Sequence, residues 1–392
     1  MTTVVPSAVP APASEPVVLI EALPTRDGRR IGIARLNRPR AINALDLEMC
    51  ELLLDAVSRW RDDPAVVAVL LAGQGEKGFC AGGDVARVIR ERRAALAALP
   101  PSAQASSPAQ QADGAREAGT AYGDDFFRVE YQLDRQLHEL GKPLITWAHG
   151  VTMGGGLGLS VAGSHRVVTT GLKMAMPEIH IGLFPDVGGG WFLNRVPDEA
   201  GLLIALTGVL MNEADAVHAR LADHVVPHGR QAAFVETLLA ADWRGDAGRI
   251  VDEALRAVAV PFQQWPGSAL RERGARIREI FGRSQLADIM ASLAEAAAGD
   301  PWFQQPLANL QQGSPTAAAV TLEYYRRSRL LGLAEVLALD RTLAWHCLRG
   351  PDFPEGVRAL LIDKDKAPRW LPRTAEGIDR ALVERFFAAV AV

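Results

Sequence analysis

The chain has 392 residues, 48% of them hydrophobic, and a formal net charge of −4. This length allows one large domain or two, each with an apolar core. The near balance of charge and the lack of a basic stripe with interleaved aromatic residues exclude a typical nucleic-acid-binding surface. The longest apolar run, residues 202–211, is too short to cross a bilayer, so no membrane partner is expected.

The cysteine usage predicts a reducing compartment. The three cysteines are few, odd in number and widely spaced, and they are Cys50, Cys80 and Cys347. They form neither a disulfide framework nor a CxxC metal site. Residues 1–16 lack the basic and apolar regions of a signal peptide and are rich in Pro and Ala, which predicts a flexible tail. Together these features predict a cytoplasmic protein.

The start of the chain predicts strands followed by a helix. Residues 17–22 and 30–36 are predicted to pair as strands across a turn at residues 25–28. Asp46 is a plausible N-cap for a helix whose apolar residues recur at helical spacing. The continuous apolar run at residues 66–72 is typical of a buried parallel strand.

A glycine-rich segment, GFCAGGD at residues 78–84, can expose backbone amides to a ligand. Cys80 within it suggests a nucleophile, but a free cysteine more often packs as a small hydrophobic residue. Residues 90–123 are rich in Ala, Gln, Ser and Pro, which predicts a mobile surface insertion. In the helix predicted after it, Glu130 lies off the apolar stripe and is either a surface residue or an acid facing a pocket.

Residues 142–191 hold the strongest candidate for a functional site. A strand predicted at residues 143–148 leads to three consecutive glycines and an apolar segment that starts at residue 157. If that segment is helical, its first amides have no partner within the helix and can hold an oxyanion. Glu178 and Asp186, each directly after a proline, are candidate catalytic carboxylates, because amide donors with a nearby carboxylate can promote attack on a carbonyl. Glycine triplets are also common in plain turns.

The second half of the chain is predicted to be mainly helical. Residues 201–226 suggest two helices and a short strand, and Ser314 followed by Pro315 marks a helix start. No metal site is predicted, because the spacing of the nearby histidines, His218, His224 and His228, matches no common zinc pattern. The alternation of strands and helices predicts an α/β core with a helical C-terminal portion.

These segments resemble the crotonase (enoyl-CoA hydratase/isomerase) superfamily. The matching motifs occur in the family's order and read LNRPRAINAL, GFCAGGD, KPLITWAHGVTMGGGLGLS, MPEIHIGLFPDVGGG and LTGVLMNEADAVHARLADHVV. Within the superfamily the chain is most similar to the 3-hydroxyisobutyryl-CoA hydrolases, through AMPE, GSPT and EGVRALLIDKDKAPRW. The resemblance covers residues 17–372.

The resemblance implies an acyl-CoA-binding spiral of ββα repeats in residues 17–270 and a helical region in residues 271–392. It implies that the amides of Gly83 and Gly155 hold the thioester oxygen. It also places three acids near the acyl group, and they are Glu130, Glu178 and Asp186. Coenzyme A would be part of the substrate, with no separate cofactor, and a homo-oligomer is common among crotonase relatives.

In this resemblance Glu178 would act as nucleophile or as base on water, and Asp186 would bind the 3-hydroxyl group or share the base role. Enoyl-CoA hydratases carry a further glutamate at the position of Gly158, and its absence favours hydrolysis of a 3-hydroxyisobutyryl thioester in valine catabolism. Two alternatives remain, an enoyl-CoA hydratase/isomerase and a catalytically silent acyl-CoA binder. Arg38 and Arg40 are candidates to bind the coenzyme A phosphates.

Overall fold

The computed structural model describes residues 15–98 and 120–390. Within them, nine strands form a six-stranded and a three-stranded sheet. The strands are β1 Val18–Pro24, β2 Arg30–Leu36, β3 Val66–Gly73, β4 Gly78–Cys80, β5 Leu144–Ala148, β6 Val151–Met153, β7 His165–Thr169, β8 Lys173–Ala175 and β9 His224–Val226.

The two sheets are built together as the chain advances. The larger sheet has the order β1-β2-β3-β5-β7-β9 and the smaller has the order β4-β6-β8. Three successive strand pairs, β3/β4, β5/β6 and β7/β8, each place one strand in each sheet. All neighbouring strands run parallel except β1 and β2, which form an antiparallel hairpin. This arrangement confirms the predicted α/β spiral.

Helices follow the strand pairs and then fill the C-terminal part of the chain. Those of the first part are α1 Leu47–Asp62, α2 Val85–Ala97, α3 Ala121–His138, α4 Gly155–Val161, α5 Gly189–Phe192, α6 Ala200–Thr207, α7 Glu213–His218, α8 Gln231–Ala240 and α9 Ala247–Val258. Those of the last part are α10 Ala269–Glu272, α11 Gly274–Phe281, α12 Leu286–Gly299, α13 Gln304–Gln312, α14 Pro315–Arg327, α15 Leu333–Arg349, α16 Asp352–Val357 and α17 Arg380–Phe386. No helix in the described ranges is long and apolar enough to span a bilayer.

Several local predictions are confirmed by the hydrogen bonds that they required. Asp46 caps α1, because its carboxylate accepts a bond from the amide of Met49 at 3.0 Å. Ser314 caps α14 in the same way, with the amide of Ala317 as donor at 3.0 Å. Strand β3 is buried between parallel neighbours, as its continuous apolar run predicted.

The predicted insertion at residues 90–123 needs correction at both ends. Helix α2 continues to Ala97, and α3 already begins at Ala121. The physical reason is that residues 90–97 are mostly Arg, Glu, Ala and Leu, which are strong helix formers. Residues 99–119 lie outside the described residues, as do residues 1–14 of the predicted tail.

One apolar core connects the spiral with the C-terminal helices. Leu206 of α6 and Ile280 of α11 belong to the same buried cluster, and α10 spans the boundary predicted at residue 270. A second cluster, with Trp147 of β5 against Phe234 of α8, covers the other face of the large sheet. The C-terminal helices therefore complete the core that supports the small sheet.

Candidate active site

A cavity of about 280 Å³ opens at one edge of the small sheet. It brings together the loop after β4, the start of α4, one face of α3, the segment after Pro177 and a short stretch of the C-terminal region. The lining residues are Ala81, Gly82, Gly83, Val85, Phe126, Phe127, Glu130, Met153, Gly154, Gly155, Pro177, Glu178, His180, Ile181, Leu183, Asp186, Leu360 and Leu361.

Two glycine loops meet in this cavity because they follow neighbouring parallel strands, β4 and β6. The amide nitrogen of Gly83 lies 3.5 Å from the point that a Cβ atom on Gly155 would occupy. Neither amide donates a hydrogen bond to another described residue. Gly155 is the first residue of α4, where an amide has no acceptor within the helix. The two free donors therefore lie side by side, as an oxyanion-binding site requires.

Glu178 begins a short 3-10 turn, Glu178–Ile181, and its side chain is buried in the cavity wall. Its Oε1 atom lies 2.8 Å from the point that a Cβ atom on Gly154 would occupy, so the carboxylate is directly beside the glycine loop. Its Oε2 atom is buried and has no hydrogen-bond partner among the described residues. The turn thus directs a carboxylate with an uncommitted oxygen toward the two amides.

Glu130 is also a cavity residue, which decides between the two interpretations left open by the sequence. It lies on α3 and is only 2% exposed. Its Oε1 atom is so close to Gly155 that a Cβ atom there would collide with it, and this oxygen has no hydrogen-bond partner in the described chain. Glycine at position 155 therefore leaves room for the Glu130 carboxylate beside the amide.

Asp186 faces the cavity from the next loop, and a tyrosine orients it. The hydroxyl of Tyr131 on α3 donates a hydrogen bond to Asp186 Oδ2 at 2.6 Å. Val187, the next residue, has a φ of 51°, a left-handed conformation that is strained for a β-branched side chain. Such strain persists only where the surroundings enforce it.

The C-terminal helices enforce this loop conformation. Asp340 of α15 accepts a hydrogen bond from the amide of Gly188 at 2.8 Å. Tyr324 of α14 accepts one from the amide of Gly190 at 2.7 Å and donates its own proton to Asp340. These bonds fix the amides of Gly188 and Gly190, and so the helical region contributes to the placement of Asp186.

Burial raises the pKa values of the carboxyl groups around the cavity. For Glu178 the raised pKa has burial as its main cause and the Asp186 charge as the second. The pKa of Glu130 is likewise raised well above its usual range, by burial and then by Asp186. Burial raises the pKa of Asp186 to about 6, against the opposing effect of the Tyr131 hydrogen bond. The pKa of about 6 suits Asp186 to exchange protons near neutral pH.

The structure explains why residue 158 is glycine. A Cβ atom on Gly158 would lie 2.7 Å from the Cβ atom of Val187, so a larger side chain requires that Val187 move. Gly158 is not among the residues that line the cavity. Glu130 instead supplies a second glutamate from a different element. The number of acids in the cavity therefore does not by itself separate hydrolysis from hydration.

The surroundings of the other candidate residues, Cys80 and Arg38, favour structural roles over catalytic or binding roles. Cys80 is fully buried, and burial raises the pKa of its thiol to about 12, which opposes a nucleophilic role. Arg38 is held by Asp46, Asp84 and the carbonyl of Ala44, so its charge is already compensated. No cluster of three or more potential metal ligands occurs in the described ranges.

Exposed Arg40 keeps the phosphate-binding role only as a prediction. Sequence reasoning missed three residues that complete the site, and they are Tyr131, Leu360 and Leu361. Tyr131 shares a helix with Glu130, yet nothing in the sequence indicated that its hydroxyl reaches Asp186. Leu360 and Leu361 lie in a segment whose composition is polar and charged. A signal did exist there, because the segment is part of the motif EGVRALLIDKDKAPRW.

Replacing Tyr131 with Phe is expected to shift the acid limb of the kcat/KM profile to higher pH. The hydroxyl favours the ionised form of Asp186, so its loss raises the pKa of Asp186 further above about 6 and lowers the ionised fraction at neutral pH. A pH profile of both enzymes measures the shift. Tyr325→Phe is the matched control, because its hydroxyl contacts Glu199 outside the cavity. An unchanged acid limb in Tyr131→Phe would show that ionised Asp186 is not required.

Comparison with known proteins gives two sets of relatives. The chain matches the enoyl-CoA hydratase/isomerase family over residues 31–387. It is 36% identical over 358 residues to a Gallus gallus protein named 3-hydroxyisobutyryl-CoA hydrolase, mitochondrial, an alignment that covers 91% of this chain and 86% of the relative. An Arabidopsis thaliana protein named 3-hydroxyisobutyryl-CoA hydrolase 1 is 32% identical, with 96% of this chain and 93% of the relative covered.

Solved structures with the same fold carry other names. A structure described as a carnitinyl-CoA dehydratase from Mycobacterium thermoresistibile is 34% identical, with a TM-score of 0.79 and coverage of 95% of this chain and 96% of the other. One described as an enoyl-CoA hydratase from Rhodobacter sphaeroides 2.4.1 is 33% identical, with a TM-score of 0.78 and coverage of 95% and 97%. The names of similar proteins thus include both hydrolases and hydratases.

Proposed function

Because this chain belongs to the enoyl-CoA hydratase/isomerase family, we propose that it is an acyl-CoA thioester hydrolase acting on 3-hydroxyisobutyryl-CoA. The reaction consumes one water molecule, breaks the bond between the carbonyl carbon and sulfur, and releases 3-hydroxyisobutyrate and coenzyme A. It needs no cofactor beyond the coenzyme A of the substrate. The observation that carries the proposal is the pair of free amides, at Gly83 and Gly155, beside the buried carboxylate of Glu178.

The relatives support hydrolysis over other acyl-CoA reactions. Proteins named 3-hydroxyisobutyryl-CoA hydrolase from vertebrates and a plant align over most of their length with this chain. The alignment includes the C-terminal region, whose helices hold the Asp186 loop. This agreement also supports a role in valine catabolism, which the family resemblance implies.

The proposed chemistry assigns a role to each group. The amides of Gly83 and Gly155 bind the thioester oxygen and stabilise the negative charge that it gains upon attack. Glu178 either attacks the carbonyl carbon, expels the coenzyme A thiolate and forms a mixed anhydride that water then hydrolyses, or removes a proton from the attacking water. The proton that it receives in the second route passes to the leaving thiolate. Hydroxylamine trapping during turnover separates the routes, because only the anhydride route yields a hydroxamate on Glu178.

Asp186 is proposed to bind the 3-hydroxyl group of the substrate. Its Oδ2 atom accepts a hydrogen bond from the Tyr131 hydroxyl at 2.6 Å, and the residue lines the cavity. Glu130 lines the same cavity, and burial raises the pKa values of both carboxyl groups. A hydroxyl group on the acyl chain gives these carboxylates a donor that a simple alkyl chain lacks.

Hydration of an enoyl thioester is the second candidate function, and a specific observation favours it. Glu130 and Glu178 both line the cavity and each has an oxygen without a partner in the described chain, so two acids are available to orient and split water. The two solved structures named above are described as a dehydratase and a hydratase. An isomerase needs only one of these carboxylates, and a silent binder needs neither.

Product analysis tests the proposal. Incubation of the purified protein with 3-hydroxyisobutyryl-CoA is expected to yield free coenzyme A and 3-hydroxyisobutyrate in equal amounts. Formation of an unsaturated acyl-CoA with the thioester intact would instead indicate dehydration, and unchanged substrate would indicate a binder.

The cytoplasmic location stays a prediction, since several relatives are named mitochondrial, and cell fractionation decides it.

A further inference from the structure

Two leucines from the C-terminal region form part of the cavity wall. Leu360 and Leu361 line the same cavity as Glu178, although they are about half the chain away in sequence. Leu361 is 40% exposed, which makes it one of few large hydrophobic residues in the described ranges that are not largely buried. An exposed leucine in the cavity wall leaves apolar surface for a bound molecule to cover.

The backbone that carries these leucines has an unusual, well-defined form. Residues Arg358–Ile362 make a π-helical turn, in which the amide of Asp363 donates to the carbonyl of Arg358 at 2.8 Å. The chain then folds back, since the amide of Lys366 donates to the carbonyl of Ala359 at 3.0 Å. Lys364 and Lys366 both have positive φ values, 59° and 56°. Single π-turns and strained residues of this kind are frequent at functional sites.

Arg358 holds this folded-back segment together. Its guanidinium group forms ion pairs with Glu355, Asp363 and Asp365, and it also donates to the carbonyl of Ala367 at 3.3 Å. One side chain therefore ties the helix before the π-turn to the loop after it. Arg358 is not among the residues that line the cavity, so its contribution to the site is to fix where the two leucines lie.

The segment is also fixed relative to the proposed catalytic carboxylate. Helix α16, which leads into the π-turn, lies directly against the Glu178–Ile181 turn, because a Cβ atom on Gly356 would be 2.6 Å from the Cα atom of Ile181. On its other side, Phe353 packs against Phe127 of α3 with ring centroids 6.3 Å apart. Helix α16 is therefore held by both the Glu178 turn and α3, and the π-turn that follows it carries the two leucines into the cavity that Glu130 and Glu178 also line.

We infer that Leu360 and Leu361 are substrate-contacting residues that limit the length of the acyl chain, and that Arg358 is the residue that positions them. The inference rests on the proposed function, since it takes the carboxylate side of the cavity as the acyl side. The wall comes from outside the spiral that provides the amides and carboxylates. Acyl-chain selectivity can therefore change in this segment without any change to the groups that perform the reaction.

The test compares Leu361→Ala and Leu360→Ala with the wild type on 3-hydroxyacyl-CoA thioesters of four, six and eight carbons. The ratio of kcat/KM for the longest chain to that for the shortest is expected to rise at least ~10-fold, the scale at which a hydrophobic pocket discriminates added methylenes. Leu330→Ala is the matched control, because Leu330 is 95% exposed and does not line the cavity. Ratios equal to those of Leu330→Ala would overturn the inference.

Arg358 is tested by a separate pair of variants. Arg358→Ala is expected to raise KM for the four-carbon substrate with a smaller change in kcat, and Arg358→Lys should partly restore KM. Arg327→Ala is the control, since Arg327 also joins two acids, Glu323 and Glu384, outside the cavity. Equal effects on KM from Arg358→Ala and Arg327→Ala would show that Arg358 does not position Leu360 and Leu361.

Binding separates this inference from the proposed function. Calorimetry with non-hydrolysable thioether analogues of the same chain lengths measures selectivity without turnover. If the wild type releases no coenzyme A from any thioester, the hydrolase proposal fails. A higher relative affinity of Leu361→Ala for the longer analogues would still support the limit that the two leucines set on acyl-chain length. If the wild type is active and Leu361→Ala shows no such change in relative affinity, only the inference about the leucines is refuted.

Discussion

Replacing Glu178 with Gln is expected to lower kcat for thioester hydrolysis by at least ~100-fold while acyl-CoA binding stays nearly unchanged. Gln retains the size of the side chain, so the 3-10 turn and the adjacent glycine loop can keep their packing. It removes the basicity and the nucleophilicity of a carboxylate that is buried beside the two free amides. Steady-state kinetics give kcat, and calorimetry with a non-hydrolysable acyl-CoA gives the affinity.

A matched control distinguishes this effect from the general cost of changing a buried glutamate. Glu213 is 7% exposed and lies at the start of α7, outside the cavity lining. Glu213→Gln should therefore keep kcat within a small factor of the wild-type value. A Glu178→Gln enzyme with wild-type kcat would remove Glu178 from the chemical step, whichever of its two proposed roles is considered.

Replacing Gly155 with Pro is expected to reduce kcat by ~10²–10³, because it deletes one of the two donors to the thioester oxygen. The substitution suits the local backbone. Gly155 is the first residue of α4, where proline is well tolerated since its missing N–H has no acceptor within the helix. The residue before it, Gly154, is the least restricted neighbour that proline can have.

The added side-chain atoms need their own control, because a Cβ atom at position 155 collides with Glu130 Oε1. Gly155→Ala introduces the same Cβ atom and keeps the N–H, so the ratio of kcat between the Ala and Pro variants removes the effect of the Cβ atom from the measured loss. Circular dichroism and thermal unfolding establish that both variants are folded. Equal kcat in the two variants would show that the Gly155 amide does not stabilise the oxyanion.

Local features of the fold could be predicted because each depends on neighbouring residues in the sequence. The cap at Asp46 requires only a polar side chain before an apolar-periodic helix, and the buried strand β3 requires only a continuous apolar run. The glycine loops at Gly83 and Gly155 were identified in the same way. Their meeting in one cavity follows from the parallel pairing of β4 and β6, for which the family resemblance was the only guide.

The features that sequence reasoning missed all depend on contacts between distant segments. The hydrogen bond from Tyr131 to Asp186 joins residues 55 positions apart, and the sequence around neither residue predicts the contact. The close contact of Gly158 with Val187 was missed for the same reason, since it depends on how α4 packs against the loop that carries Asp186. Periodicity and motif spacing describe which face a residue occupies, whereas these contacts depend on how whole elements pack.

The most direct test of the account is to measure two reactions on one enzyme preparation. Thiol release from 3-hydroxyisobutyryl-CoA reports hydrolysis, and loss of enone absorbance with crotonyl-CoA reports hydration. The account predicts that kcat/KM for thiol release exceeds that for hydration, and that Glu178→Gln abolishes most of the thiol release. Faster hydration of crotonyl-CoA than cleavage of the thioester would contradict the hydrolase assignment and identify Glu130 and Glu178 as a hydratase pair.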